Sequence, residues 1–281
     1  MTVNKKVLDD YQKYLEIGGS SSNTIKSYMN SVNDLMSYLG DTDYNEVTVQ
    51  ILEKYIKDLD LSDRSKNQTI YAIRNFWKFL HREGYVNTDV ARLIRCLKVY
   101  NKPAEYLSRE EVEICLDYLD GQSDNKSIVK KTIFLTLIYT GLRRSELLAL
   151  RIEDIKENVI IIEGKGKKVR KIPIADKLKE VLNNHIGRRK QGLVFKSPRS
   201  NRKGLSASTL LNYIKEIGDE ALGRDISVHT LRHTTATMLY ENGADLHSIA
   251  NVLGHESIAT TQIYAHISRD RKQNMMNTIG I

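Results

Sequence analysis

A break in helical periodicity between residues 98 and 105 constrains the fold most strongly, because each side of it carries its own apolar pattern. The segment from Lys98 to Glu105 is polar and contains one of only three prolines in 281 residues, which is typical of a linker. A chain of this length also exceeds the usual size of one compact domain. We therefore predict two domains, residues 1–97 and 106–281, joined by a linker at residues 98–105.

The first domain carries apolar side chains at helical spacing in four successive runs, which predict a helical bundle. The runs are Leu8 to Leu15, Ile25 to Leu39, Val49 to Leu59 and Ile70 to Leu80. Asn23 or Thr24 is expected to cap the second helix. A set of basic residues is expected to be exposed, forming either a solvated face or contacts for phosphates: Lys26, Arg64, Lys66, Arg74, Lys78 and Arg82.

The second domain mixes helical and strand patterns. Ser108 to Glu111 forms a capping-box signature, and residues 128–139 predict a buried helix that ends near Gly141. Two β-branched runs, residues 159–162 and 169–174, flank a basic segment and predict an antiparallel hairpin. In this hairpin Lys167, Lys168, Arg170 and Lys171 are expected to be solvated or to contact phosphates. We predict a mainly α chain with a small antiparallel sheet in its second domain.

The composition favours a polyanionic partner and a reducing compartment. Lys and Arg total 43 against 35 Asp and Glu, which gives a net charge of +8. Cys96 and Cys115 form neither a disulfide framework nor a metal-binding spacing, and we expect both to be buried thiols. The sequence contains no run of about 18 apolar residues of the kind that spans a bilayer. We expect a cytoplasmic protein without a membrane partner.

Four short segments of the second domain combine polar side chains with glycine turns. They are Thr140 to Glu146, Gly164 to Gly166, His229 to Arg232, and Leu253 to His255 followed by Tyr264. In this order they resemble the tyrosine recombinases, the integrase family that includes the Xer-type resolvases. Residues around Tyr28 are similar, less specifically, to the core-binding domain of that family. The resemblance covers nearly the whole chain and implies a SAM-like helical domain and an α+β catalytic domain that form a C-shaped clamp on DNA.

The resemblance implies six catalytic residues, and this chain carries each of them at the matching position: Arg143, Lys165, His229, Arg232, His255 and Tyr264. Glu146 matches a frequent carboxylate of the family, which we expect to support the site rather than to react. Arg144 is expected to lie at the surface or against the DNA backbone.

Phosphodiester cleavage calls for these residue types. Attack on phosphorus builds negative charge on the non-bridging oxygens, which the forks of two arginines match. The Tyr264 phenol must lose its proton during attack, because a phenol has a reference pKa of about 10, and His229 is our candidate base. Lys165 would protonate the leaving 5′ oxygen, and His255 would donate to the phosphate. The phosphotyrosine conserves bond energy, so rejoining needs no ATP.

A zinc site at His229 and His233 is the competing interpretation of one segment. The two histidines are four residues apart, a spacing that holds zinc on some helices. However, the intervening Arg232 opposes a cation, and the glutamate of a metalloprotease helix is absent. We therefore expect no metal and no cofactor, with His233 packing against the site.

The predicted function is site-specific DNA recombination through a 3′-phosphotyrosine and a Holliday junction. The resemblance implies double-stranded recombination sites as partners and a homotetramer on paired sites, formed from monomers or weak oligomers. Integration or excision of a mobile element and resolution of chromosome or plasmid dimers fit equally. Two alternatives are DNA relaxation of the type IB topoisomerase kind and a catalytically silent DNA-binding accessory protein. The tail, residues 268–281, is expected to pack on its own domain or to dock on a neighbouring subunit.

Overall fold

A computed structural model describes residues 3–99, 105–164, 169–198 and 200–254 of the chain. The chain divides into two compact units, residues 1–101 and 102–281. The predicted fold class, mainly helical with small antiparallel sheets, is confirmed. Within the described ranges, no helix has both the length and the apolar character that crossing a membrane requires.

Over residues 3–99, the first unit is a bundle of four helices around an aromatic core. Its helices are α1 (Val3–Ile17), α2 (Ser22–Leu39), α3 (Val49–Asp58) and α4 (Asp63–Arg82), followed by a short 3-10 helix (Val90–Leu93). The ring of Tyr11 on α1 meets the ring of Phe76 on α4 edge to face, with centroids 4.9 Å apart. Trp77 and Phe79 complete this core, in which every ring is at most 2% exposed. These rings pack α1 against α4 in the centre of the bundle.

The cap of α2 differs from the prediction by two or three residues. Ser21, rather than Asn23 or Thr24, precedes the helix in an extended conformation, and its hydroxyl oxygen accepts from the Thr24 amide at 3.2 Å. A serine side chain reaches the third amide of the helix, so it satisfies a group that would otherwise lack a helical partner. The turn therefore ends at Ser21, and the helix begins at Ser22.

Two of the six basic residues expected on the surface of the first unit are partly buried instead. The Arg74 guanidinium donates to the Ile94 carbonyl, and the Lys66 ammonium donates to the Lys57 carbonyl at 3.0 Å. Both side chains therefore tie α4 to neighbouring backbone. The other four are exposed as predicted: Lys26, Arg64, Lys78 and Arg82.

The second unit surrounds its core with seven helices and two small antiparallel sheets within the described residues. The helices are α5 (Arg109–Asp120), α6 (Asn125–Thr140), α7 (Arg144–Ala149), α8 (Asp176–Ile186), α9 (Ala207–Leu222), α10 (Val228–Glu241) and α11 (Leu246–Leu253). One sheet has the strand order β1 (Ile155–Lys156), β2 (Val159–Glu163), β3 (Val169–Pro173), and the other pairs β4 (Lys196–Ser197) with β5 (Ser200–Gly204). The predicted hairpin is thus confirmed in β2 and β3, while its tip, residues 165–168, lies outside the described residues.

Two helix boundaries of the second unit follow the predicted signals. Ser108 and Glu111 form a reciprocal capping box, with the Glu111 amide donating to Ser108 Oγ at 3.2 Å and the Ser108 amide donating to Glu111 Oε2 at 2.8 Å. Helix α6 ends at Gly141, whose backbone is left-handed with φ of 59°. Glycine adopts this conformation at little cost because it has no Cβ.

The cysteine prediction is correct for one residue and wrong for the other. Cys115 is fully buried on α5, and burial raises the pKa of its thiol to about 11. Cys96 is exposed, although the neighbouring Ile94 is buried at 2% exposure.

Candidate active site

Helices α6 and α11 end against each other at two left-handed glycines. Gly141 ends α6 with φ of 59°, and Gly254 ends α11 with φ of 69°. A Cβ atom added to Gly141 would lie 2.3 Å from Cδ2 of Leu253, closer than any side chain allows. The sequence therefore places glycine where two helix ends meet, and the carbonyl groups of both ends face the same region.

Arg232 joins these two helix ends from α10. Arg232 is only 3% exposed. Its Nη1 donates to the Gly141 carbonyl at 2.6 Å, and its Nη2 donates to the Leu253 carbonyl at 2.7 Å. The carboxyl end of a helix carries partial negative charge, which stabilises a buried cation. The guanidinium is consequently held in one orientation by backbone atoms.

Arg143 reaches the same helix end from the start of α7. Its Nη2 donates to the Gly254 carbonyl at 2.6 Å, and its Nη1 donates to Glu146 Oε1 at 3.0 Å. The side chain is 41% exposed, in contrast to that of Arg232. The two arginines thus bind successive carbonyls of α11, one from within the protein and one open to solvent.

Glu146 lies between two guanidiniums. Its side chain is 8% exposed and receives a bidentate pair from Arg170 on β3, at 2.9 Å to Oε1 and 2.8 Å to Oε2. Burial alone would raise the pKa of Glu146. Hydrogen bonds from Arg170 and the Arg143 amide, together with the positive charges of the two arginines, instead lower that pKa to about 2. Glu146 is therefore an ionised carboxylate held in place by both arginines.

The position of Arg170 differs from the prediction. This residue was expected to be solvated or to contact phosphates, but its guanidinium is paired with the Glu146 carboxylate inside the protein. Its side chain is 11% exposed, and its Nε donates to the Val252 carbonyl at 3.0 Å. The strand pattern contained a signal, because alternate residues of a strand share a face and Ile172 of β3 is buried. That alternation places Arg170 on the inner face of the hairpin.

His229 and His233 lie one helical turn apart on α10. His229 is exposed, and its ring meets the His233 ring edge to face with centroids 4.4 Å apart. Burial, followed by the charges of His229 and Arg232, lowers the pKa of His233 to about 4, which leaves His233 neutral at neutral pH. Among the described residues, no group of three or more metal-ligating side chains is formed.

The remaining three predicted residues, Lys165, His255 and Tyr264, lie outside the described residues. Of the predicted set, the structure brings Arg143 and Arg232 together at the end of α11 and places His229 three residues before Arg232. Arg144 is exposed beside them, as expected.

Comparisons with known proteins agree with the resemblance drawn from the four segments. A model of the phage integrase family matches residues 105–271, and a model of the phage integrase N-terminal SAM-like domain matches residues 8–84. The chain belongs to the phage integrase family. Its relatives include the tyrosine recombinase XerD of Oceanobacillus iheyensis, 32% identical over 95% of this chain and 96% of that protein. XerD of Staphylococcus haemolyticus is also 32% identical, over 96% of this chain and 97% of the relative.

Solved structures show the same fold. A lambda integrase dimer bound to a COC′ core site has a TM-score of 0.78 at 20% identity, covering 94% of this chain and 95% of that one. The XerH recombinase in a post-cleavage complex with palindromic difH substrate has a TM-score of 0.76 at 21% identity, covering 92% of this chain and 80% of that one. At these identities, the likeness supports the fold assignment.

Proposed function

We propose that this chain is a site-specific DNA recombinase that breaks and rejoins strands through a covalent bond between Tyr264 and a 3′ phosphate. The observation that carries the proposal is the placement of Arg143 and Arg232 on successive carbonyls of one helix end. Two adjacent guanidiniums match the non-bridging oxygens of a single phosphodiester. Membership of the phage integrase family and the XerD relatives support this class of reaction.

The contrast in burial between the two arginines suits a site that must be ready before DNA arrives. Arg232 is oriented by backbone carbonyls inside the protein, whereas Arg143 is partly open to solvent. A guanidinium carries five N–H groups in a fixed planar fork, so bonds to backbone carbonyls fix the direction in which that fork points. Donors fixed in advance stabilise developing negative charge without reorganisation during the reaction.

The proposed chemistry moves one proton on each side of the phosphorus. The Tyr264 oxygen attacks, and His229 accepts the phenolic proton while the bond to the 5′ oxygen breaks. Lys165 supplies a proton to that leaving oxygen, and His255 donates to a non-bridging oxygen. The same groups act in reverse when the 5′ hydroxyl attacks the phosphotyrosine. His229 suits this role because it is exposed three residues from Arg232, on the same side of α10.

The proposed partner is double-stranded DNA carrying recombination sites. The lambda integrase and XerH structures are complexes with a core site and with difH substrate, respectively. Recombination joins two duplexes by four strand cuts, so we infer a homotetramer on paired sites, in the cytoplasm, without metal or ATP. Residues 1–97 would serve as the core-binding domain, residues 98–105 as its linker and residues 106–281 as the catalytic domain, with residues 268–281 docking between subunits.

The exposed basic residues of the first unit support a role in DNA binding. Lys26 and Lys78 are exposed on α2 and α4, respectively. Contacts between such side chains and phosphates release counterions, so the affinity should fall steeply with salt.

Covalent trapping on a nicked duplex tests the proposal. The duplex carries inverted repeats taken from DNA beside the encoding gene, and a nick a few nucleotides to the 3′ side of the cleavage point releases the short fragment that bears the 5′ hydroxyl, so that rejoining fails. We expect the wild-type protein to give an adduct that survives denaturing electrophoresis. Tyr264→Phe should bind the duplex with unchanged affinity and give no adduct, whereas the matched variant Tyr118→Phe should behave as wild type. An adduct formed by Tyr264→Phe would show that the nucleophile is assigned wrongly.

A further inference from the structure

One side chain, Arg170, connects three segments that carry proposed catalytic residues. It extends from β3, which begins four residues after Lys165 in the chain, to the Glu146 carboxylate beside Arg143. Its Nε also donates to the Val252 carbonyl, three residues before His255. These contacts span separations of 24 and 82 residues along the chain. Arg170 therefore occupies a junction of the site, although it is not one of the six residues that the family resemblance implies.

The end of α11 is shaped to receive this guanidinium. A Cβ atom added to Gly254 would lie 3.0 Å from Nη1 and 3.1 Å from Cδ of Arg170. Any other residue at position 254 would press on Arg170, and its φ of 69° also favours glycine. The Arg170 guanidinium therefore packs closely against Gly254 on one side and is bonded to Glu146 on the other.

The charges of the cluster require a second cation beside Arg143. Glu146 is almost fully buried, and Arg143 and Arg170 both donate to its Oε1, at 3.0 Å and 2.9 Å. Two guanidiniums and one carboxylate leave one net positive charge. If Arg170 were neutral, the buried carboxylate would cancel the charge of Arg143, which attracts phosphate in the proposed reaction.

We propose that Arg170 is a positioning residue for strand cleavage, which satisfies Glu146 so that Arg143 keeps its charge and its place at the end of α11. This inference rests on the proposed function. Arg170 does not touch the DNA; it acts through Glu146, and through Glu146 on Arg143.

A double-mutant cycle on the duplex cleaved by the wild-type protein tests this role. Arg170→Met should lower the rate of covalent adduct formation about 10-fold to 100-fold, by analogy with groups that orient the ligands of a metal site. Arg170→Lys keeps the charge but loses the bidentate geometry, and should recover part of that loss. The binding affinity of each variant for the same duplex, and its thermal unfolding, are measured in parallel.

The decisive variant is Arg170→Met combined with Glu146→Gln. Because the double variant removes the negative charge that Arg170 offsets, it should form adduct no more slowly than Arg170→Met alone. Where Glu146→Gln alone also slows adduct formation, the effects of the two substitutions are then strongly non-additive, as expected for residues that act on one another. If the two defects instead multiply, Arg170 acts independently of Glu146 and the proposal is wrong.

A matched control comes from a surface pair of the same chemistry in the same unit. Arg151 bonds Glu153 at 3.2 Å, and these side chains are 53% and 40% exposed. Arg151→Met removes the same charge and should leave the rate of adduct formation unchanged. An equal loss in Arg151→Met would attribute the effect to net charge and overturn the proposal. A wild-type protein that gives no adduct would contradict the proposed function itself, before any variant is compared.

Discussion

The two units of this chain stabilise polar groups in opposite ways. The first unit buries phenols: Tyr11 is fully buried and donates to Asn75 Oδ1 at 2.8 Å, and burial raises the pKa of Tyr11 and brings that of Tyr55 to about 12. The second unit buries ions and imidazoles, with a pKa of about 2 for Glu146 and about 4 for His233. Both units have an apolar core, but among the described residues only the second adds to it a carboxylate and an imidazole whose pKa values are strongly lowered.

This difference separates stability from chemistry. The aromatic core of the first unit packs α1 against α4 and carries none of the six proposed catalytic residues. In the second unit, the bonds that hold Arg143 and Arg232 join residues 111 and 91 positions apart. Substitutions in the first core should accordingly reduce folding stability, whereas substitutions in the arginine cluster should reduce the rate of cleavage.

The largest effect on stability is expected for Trp77→Ala. The side chain is fully buried against Phe76, and truncation of such a ring costs about 3–5 kcal/mol of the free energy of unfolding. Hydrogen exchange measured by mass spectrometry should locate the loss of protection in residues 3–99. Trp77→Phe, which keeps an aromatic ring, should lose much less. Equal loss of protection in both units would show that the first unit is not independent.

The next largest effect is expected for Arg143→Ala, on catalysis. Removal of one preorganised donor typically lowers a rate about 100-fold to 1,000-fold, and adduct formation should fall by that factor. Because the side chain is 41% exposed and Glu146 keeps its bidentate bond to Arg170, the unfolding free energy should change little. Arg144→Ala should cost less than about 10-fold, because Arg144 is exposed and is not the proposed clamp. A greater loss in Arg144→Ala would reverse the assignment.

The smallest effect is a dependence of stability on pH that differs between the units. The folded state lowers the pKa of His233 to about 4, so its contribution is complete above the unfolded pKa of about 6.5 and is lost as the pH falls towards 4. Allowing for partial exposure, about 1–2 kcal/mol should disappear over this range. Urea unfolding of His233→Gln should show a flatter profile than wild type.

The tyrosines of the first unit should give the opposite dependence of stability on pH. For Tyr55 the contribution is complete below the usual pKa of 10.0 and is lost as the pH rises towards 12. Protection from hydrogen exchange should thus be lost first in residues 105–254 under acid and first in residues 3–99 under alkali. An order that is the same at both extremes would contradict the contrast between the units.

The sequence predicted most of the fold because its signals are local. The four helices of the first unit, the capping box at Ser108 and the end of α6 at Gly141 follow from periodicity and glycine placement within a few residues. The errors on the basic residues occurred where a competing partner lies nearby in space. Arg74 was expected to be exposed, yet the Ile94 carbonyl, 20 residues away, holds it.

The candidate site was likewise predictable from the sequence only in part. The resemblance selected Arg143, Arg232 and Glu146 from short segments, and the structure groups these residues around two helix ends. The sequence could not show that both arginines bind α11, because those bonds depend on tertiary packing across long separations. The position of Arg170 was partly readable from strand alternation, but its pairing with Glu146 was not.

The most direct test of this account is to identify the amino acid that becomes attached to DNA. The trapped adduct is digested with a protease, and mass spectrometry locates the nucleotide on the remaining peptide. We predict that the linkage lies on Tyr264, through the 3′ phosphate, with a free 5′ hydroxyl on the released strand. A linkage to another residue, or through a 5′ phosphate, would contradict the proposed reaction.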